Sequence, residues 1–164
     1  MKPPINHELL DRIFADGEAA FPHSAAIQLE KARLYDFYCA DLSARNEALE
    51  VARTLDAEYL PAAQMAADLK AMTLPPQQRR QLYEMLRAID PFNVDLLAWT
   101  ALRMARDGDA GYGQSLLNQA RAVDAKNPAP YLALLEIFWR EQLQTIDSAQ
   151  IDELLSAYPN TPEL

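Results

Sequence analysis

Three aspartates, Asp56, Asp90 and Asp124, return at a spacing of 34 residues, and each closes the same short phrase. Thr54-Leu55-Asp56, Ala88-Ile89-Asp90 and Ala122-Val123-Asp124 place an aliphatic residue before the acid. Arg53, Arg87 and Arg121 stand three places before it. A fixed period in this range marks supersecondary units that cannot bury an apolar face alone and therefore stack on their neighbours. The period constrains the fold class more than any other feature, and it points to a chain that builds surfaces rather than an active site.

Composition narrows the unit to helices. Half of the 164 residues are hydrophobic, enough for a continuous core, and only four glycines occur, Gly17, Gly108, Gly111 and Gly113. A sheet of this size needs more turn glycine and more β-branched residues. Ala, Leu, Gln, Glu and Arg dominate instead, and these favour helix. The spacing of apolar residues then predicts an N-terminal helix over 6–20, followed by pairs over 24–40 and 43–55, 61–72 and 76–89, 93–106 and 110–123, and 128–142 and 148–158. Ser24 and Ser43 are the expected caps of the first pair, Pro61 suits a first helical turn, and Pro75-Pro76 forces a break. The linking loops are too short to mark a second domain, so 1–164 is expected to be one domain of about nine helices.

These residues resemble the tetratricopeptide-repeat family. The third pair carries the resemblance best, with Leu97, Ala101, Gly108-Asp109, Gly113, Ala120 and Val123-Asp124 at the family's bulky, small, turn and exit places. A shift of 34 residues back gives Ala63, Ala67, Leu86 and Ile89-Asp90-Pro91, and a second gives Leu29, Ala52 and Leu55-Asp56. Forward, the matches are Tyr131, Phe138, Leu155 and Tyr158-Pro159-Asn160. Small residues let two helix backbones approach, and larger ones fill the gap between pairs. Pro75-Pro76 departs from the Gly-acid turn, and Arg33 and Arg45 occupy places where small residues are usual. The resemblance implies an α-solenoid of stacked antiparallel helix pairs over 24–56, 60–90, 93–124 and 128–159.

The charge balance excludes other roles. Twenty-four acids against 15 bases leave a formal net charge of −9, the wrong sign for neutralising phosphates on a nucleic acid or an anionic membrane surface. No apolar run reaches the length of a membrane span, and no signal peptide is visible, so a cytoplasmic location is expected. Cys39 has no partner for an internal disulfide and is expected to pack among Tyr35, Phe37 and Tyr38.

Catalytic constellations are missing. His7 and Asp11 share a helical spacing without a third ligand, His23 has no nucleophile placed beside it, and no phosphate-binding glycine loop occurs. Neither an enzyme activity, a metal nor a cofactor is therefore expected. Asp107 and Asp109 flank a turn and are expected to be solvated, and Arg53, Arg87 and Arg121 to stabilise the ends of their helices.

In the family, the first helix of each pair lines a concave groove that takes a peptide or protein segment. That pattern selects Leu34, Phe37 and Tyr38, then Gln64, Asp68 and Met72, then Leu102 and Arg106, and finally Leu132, Glu136, Trp139 and Arg140. Aromatics and arginines of this kind make interface anchors. The carboxylate clamp of chaperone-binding members is missing, since Glu30, Leu34 and Tyr38 stand at its first positions. So is the asparagine ladder of glycosyltransferase-linked members, replaced by Lys31, Met65, Trp99 and Ala133. The expected function is a protein-interaction module, an adaptor or assembly scaffold with a protein or peptide partner. A second reading makes the chain a non-catalytic repeat region of a larger bacterial enzyme, such as a glycosyltransferase or methyltransferase. The ending Pro159-Asn160-Thr161-Pro162 reads like an entry into another repeat and keeps that reading open. Self-association into a homo-oligomer through an exposed terminal pair is the third.

Overall fold

A computed structural model describes residues 7–39, 41–141 and Ser156, without the side chains of His7, Tyr38, Cys39 and 138–141. The helix expected over 148–158 and the packing expected of Cys39 lie outside this description. Among the described residues all regular structure is helical: α1 (His7–Ala20), α2 (Ala25–Leu34), α3 (Leu42–Leu55), α4 (Leu60–Ala71), α5 (Pro76–Arg87), α6 (Val94–Arg106), α7 (Ala110–Val123) and α8 (Ala129–Glu141). A π-helical turn, Tyr35–Cys39, prolongs α2.

Helix starts follow side-chain chemistry. Ser24 caps α2 by accepting from the Ile27 amide, and Asn93 caps α6 through the Leu96 amide at 3.0 Å. The cap of α3 is Asp41 rather than Ser43. Its Oδ1 accepts from the Ser43 and Ala44 amides at 3.1 and 3.0 Å, and a carboxylate also answers the positive end of the helix. Pro75 and Pro76 begin α5, where a missing amide proton costs nothing.

The aspartate corners are alike in their backbones. The carbonyls of Asp56, Asp90 and Asp124 accept from the amides three residues on, Tyr59, Asn93 and Asn127, at 3.3, 3.2 and 3.3 Å. Asp56 and Asp124 have nearly the same dihedrals, φ −148° and ψ 100° against φ −147° and ψ 99°. The carboxylates of both accept from the amide two residues on, from Glu58 and Lys126. Arg53, Arg87 and Arg121 lie in last helical turns, and each reaches back three residues, to Glu50, Glu84 and Asn118. The acceptors Glu50, Glu84 and Asn118 thus recur at the same spacing of 34 residues.

The chain divides into two compact units, the first ending at Thr73 and the second beginning at Leu74. The division falls beside Pro75-Pro76, where the sequence reading expects only a loop within one domain. In the first unit α2 packs on α3, α4 leans on both, and α1 rests on α2. Leu29, Ala32, Ala52 and Ala62 are fully buried, with Leu55, Tyr59 and Met65 packed around their cluster. In the second unit α6 packs on α7, α8 leans on both, and α5 rests on α6. Leu96, Leu97, Ala101 and Ala120 are fully buried at its centre.

Small residues set the closeness of α6 and α7. A Cβ on Gly113 would sit 2.8 Å from the backbone carbonyl oxygen of Ala101, so only glycine permits this crossing. Gly108, at φ +91°, closes α6 in a Schellman turn. The Gly108 amide donates to the Ala105 carbonyl, and the Asp109 amide to that of Met104, both at 2.9 Å.

Candidate functional site

The positions selected for a groove fall into both units. In the first, Leu34 ends α2 half-buried, Phe37 stands 61% exposed in the π turn, and Met72 is 81% exposed at the end of α4. Gln64 and Asp68 are half-buried on α4. In the second unit Leu102 is a correction: only 7% exposed, it belongs to the core and offers no contact surface. The reason is the small residue at Ala105 and Ala98, which bring α6 close to its neighbours and bury this side of it. Leu132 lies at the surface of α8. Arg106 and Glu136 are brought together as an ion pair between α6 and α8. The side chains of Tyr38, Trp139 and Arg140 lie outside the described residues.

A second correction concerns the turn between α6 and α7. Asp107 and Asp109 are not simply solvated. The Arg79 guanidinium donates to both oxygens of Asp107, from Nε at 2.9 Å and Nη2 at 2.7 Å. That hydrogen bonding holds Arg79 above its ordinary pKa. Arg80 pairs with Asp109 at 2.7 Å and lies over the Tyr112 ring at 4.8 Å. The Tyr112 hydroxyl donates to Glu84, whose other oxygen takes Arg87. Burial first, and then Glu84, push the Tyr112 phenol up. Tyr83 meets Trp99 edge-on at 5.4 Å, and Arg103 stacks on the same indole at 4.7 Å. This network ties α5 to α6 and α7, and Arg79, Arg80 and Arg87 each pair in it with a carboxylate of the same unit.

The first unit holds an open cleft instead. Its volume is about 310 Å³, and it lies among α1, α2 and α3, lined by Glu18, Gln28, Lys31, Tyr35, Ala44, Glu47, Ala48 and Val51. At one end Glu18 accepts from Lys31 at 2.7 Å and from Gln28 at 3.0 Å, and the Lys31 hydrogen bond above all holds its carboxyl below the usual glutamate range. On α2 the lining residues are spaced as one helical face, and Ala44, Glu47, Ala48 and Val51 form a stripe of α3.

The cleft has a counterpart in the same chain. Helix α3 begins at Leu42 and α7, of the same 14-residue length, at Ala110, 68 positions later, which is two periods. At that shift Glu18, Gln28 and Lys31 correspond to Leu86, Leu96 and Trp99, while Ala44 and Ala48 correspond to Tyr112 and Leu116. In the second unit Leu86, Leu96 and Leu116 are core residues, 8%, 0% and 2% exposed. At five of the eight lining positions a large apolar or aromatic residue of the second unit is thus polar or small in the first. None of the cleft residues was selected from the sequence. Setting the chain against itself at two periods rather than one is the signal that finds them.

Among the described residues no group of three or more His, Cys, Asp or Glu side chains could hold a metal ion, and no helix is long and apolar enough to cross a membrane. No protein-family model, curated protein or solved structure matches the chain.

Proposed function

We propose that the chain is a non-catalytic protein-interaction module whose helix pairs stack as a tetratricopeptide-like solenoid and present their first helices to a peptide or protein segment. One observation carries this reading: in each unit a helix pair is followed, after an aspartate corner, by a helix that leans on both of its members. Such an arrangement propagates by repetition and leaves first-helix faces as the natural place for a partner. The exposure of Phe37 and Met72 supports the same reading, because large apolar side chains held at a surface serve as interface anchors.

The test compares partner recovery by the wild-type chain with that by Phe37→Ala and Trp139→Ala, using quantitative mass spectrometry of affinity-purified material. Loss of the same polypeptides in both variants, with helical circular dichroism retained, is the expected result. Recovery that is unchanged in both variants overturns the groove reading.

A further inference from the structure

The cleft of the first unit differs in chemistry from the matching places of the second. Its walls combine two features that the second unit lacks at the matching places: an apolar stripe of small residues and two solvent-facing hydrogen-bond acceptors, Glu47 and Gln28. Glu47 has no hydrogen-bond or ion-pair partner among the described residues. Gln28 gives its amide group to Glu18, which leaves its side-chain carbonyl as an acceptor without a donor among those residues. Glu18 and Lys31 neutralise each other across 2.7 Å, so Glu47 leaves the cleft with a single negative charge. Ala44, Ala48 and Val51 form the wall between, and the Tyr35 ring lies on the opposite helix.

We propose that this cleft binds an arginine side chain of a basic polypeptide. The aliphatic stem would lie along the alanine stripe, as long cationic side chains lie along apolar surface. The guanidinium would donate to the Glu47 carboxylate and the Gln28 carbonyl oxygen. A planar group with five donors in a fixed fork satisfies two separate acceptors better than a compact ammonium does. The charge of the whole chain, −9, favours the approach of a basic partner. This goes beyond the groove reading, because none of the cleft residues is a groove position, and either can fail without the other.

The experiment is a titration of the full, isotopically labelled chain with N-acetyl-arginine amide, followed by amide chemical shifts. Saturable shifts confined to the lining turns of α2 and α3 are expected. Glu47→Gln should weaken binding about fivefold, a modest loss because the carboxylate is exposed. Glu50→Gln, three residues further along α3 and already engaged by Arg53, should leave binding unchanged. Ala44→Tyr restores the bulk found at Tyr112 and should abolish the shifts while circular dichroism stays helical. Absence of saturable shifts, shifts spread over acidic residues of both units, or full binding by Glu47→Gln overturns the proposal. Equal affinity for N-acetyl-lysine amide overturns the assignment of a guanidinium.

Discussion

Among the described residues the two units repeat one plan, four helices in the same order of neighbours, yet they use their sequence differently. Helix α6 buries eight residues, from Leu96 to Ala105, whereas α2 buries three, Ala25, Leu29 and Ala32. The second unit closes its first helix with Gly108 in a left-handed conformation and crosses the pair at Gly113. At the matching positions the first unit has Ala40 and Arg45. There α2 runs on into a wider π turn, Tyr35–Cys39. Arg45 cannot sit in a close crossing, and instead reaches Asp36 of that turn at 2.7 Å. Two substitutions at the joint thus accompany the loss of apolar fill above it. One unit is a packed core; the other keeps a polar cleft.

The largest effects should come from the buried leucines that the two units share. Leu29 and Leu97 stand two periods apart and are each 0% exposed. Replacing either with alanine removes several methyl groups and leaves a cavity, at a cost of about 2–5 kcal/mol. The cost should be greater at Leu97, since α6 buries eight residues against three in α2 and its surroundings have less room to relax. Urea unfolding of Leu29→Ala and Leu97→Ala measures this; a greater loss for Leu29→Ala would break the contrast.

A smaller effect is expected at the helix crossing. In Gly113→Ala the new methyl group meets the Ala101 carbonyl oxygen at 2.8 Å, and a backbone atom in mid-helix cannot move aside cheaply. Overpacking of this kind costs about 1–3 kcal/mol, against a gain of about 1 kcal/mol in helix propensity. At the middle of that range a net loss of about 1 kcal/mol follows, measurable as a lower urea midpoint. A stability equal to or above wild type would show that the close crossing is not what holds α6 to α7.

Much of this plan was legible in the sequence because it rests on local chemistry. Helix ends near Leu55, Val123 and Arg106 followed from Asp corners and a Gly-acid turn, whose effects act within a few residues. The all-helical class followed from composition and period. What escaped was pairing across elements. Asp107 looked solvated because its partner, Arg79, is 28 residues away and no local rule joins them. Asp41 was passed over as a cap in favour of Ser43, although both are good capping residues, since the choice depends on where the π turn ends. Leu102 was selected from a family pattern, which fixes the helix face but not how closely the neighbouring helices approach it. The cleft escaped for the opposite reason. Its polar residues are unremarkable singly and acquire meaning only beside the leucines that replace them 68 positions later.

The smallest expected effect separates the ways the two units hold their first helix. α5 is tied down by the Arg79–Asp107 and Arg80–Asp109 pairs and by the Tyr83–Trp99 contact. α1 meets α2 through Glu18, which joins Lys31 and Gln28, beside Gly17, where an added Cβ would come 3.5 Å from Ile27. Lys31 lowers the pKa of Glu18 in the folded chain. A carboxyl depressed on folding stabilises the fold above its unfolded pKa, and that contribution fades as the pH falls through the folded value. The window therefore opens near pH 4, the ordinary range of a glutamate at about 4.3, and extends below it. Partial exposure of both partners keeps the effect small. Melting curves recorded on either side of that window should show a steeper acid loss in wild type than in Glu18→Gln, whose amide keeps hydrogen bonding but does not titrate. If the two chains lose stability in parallel as the pH falls, the Glu18–Lys31 pair is not what fastens α1, and the contrast between the units rests on apolar packing alone.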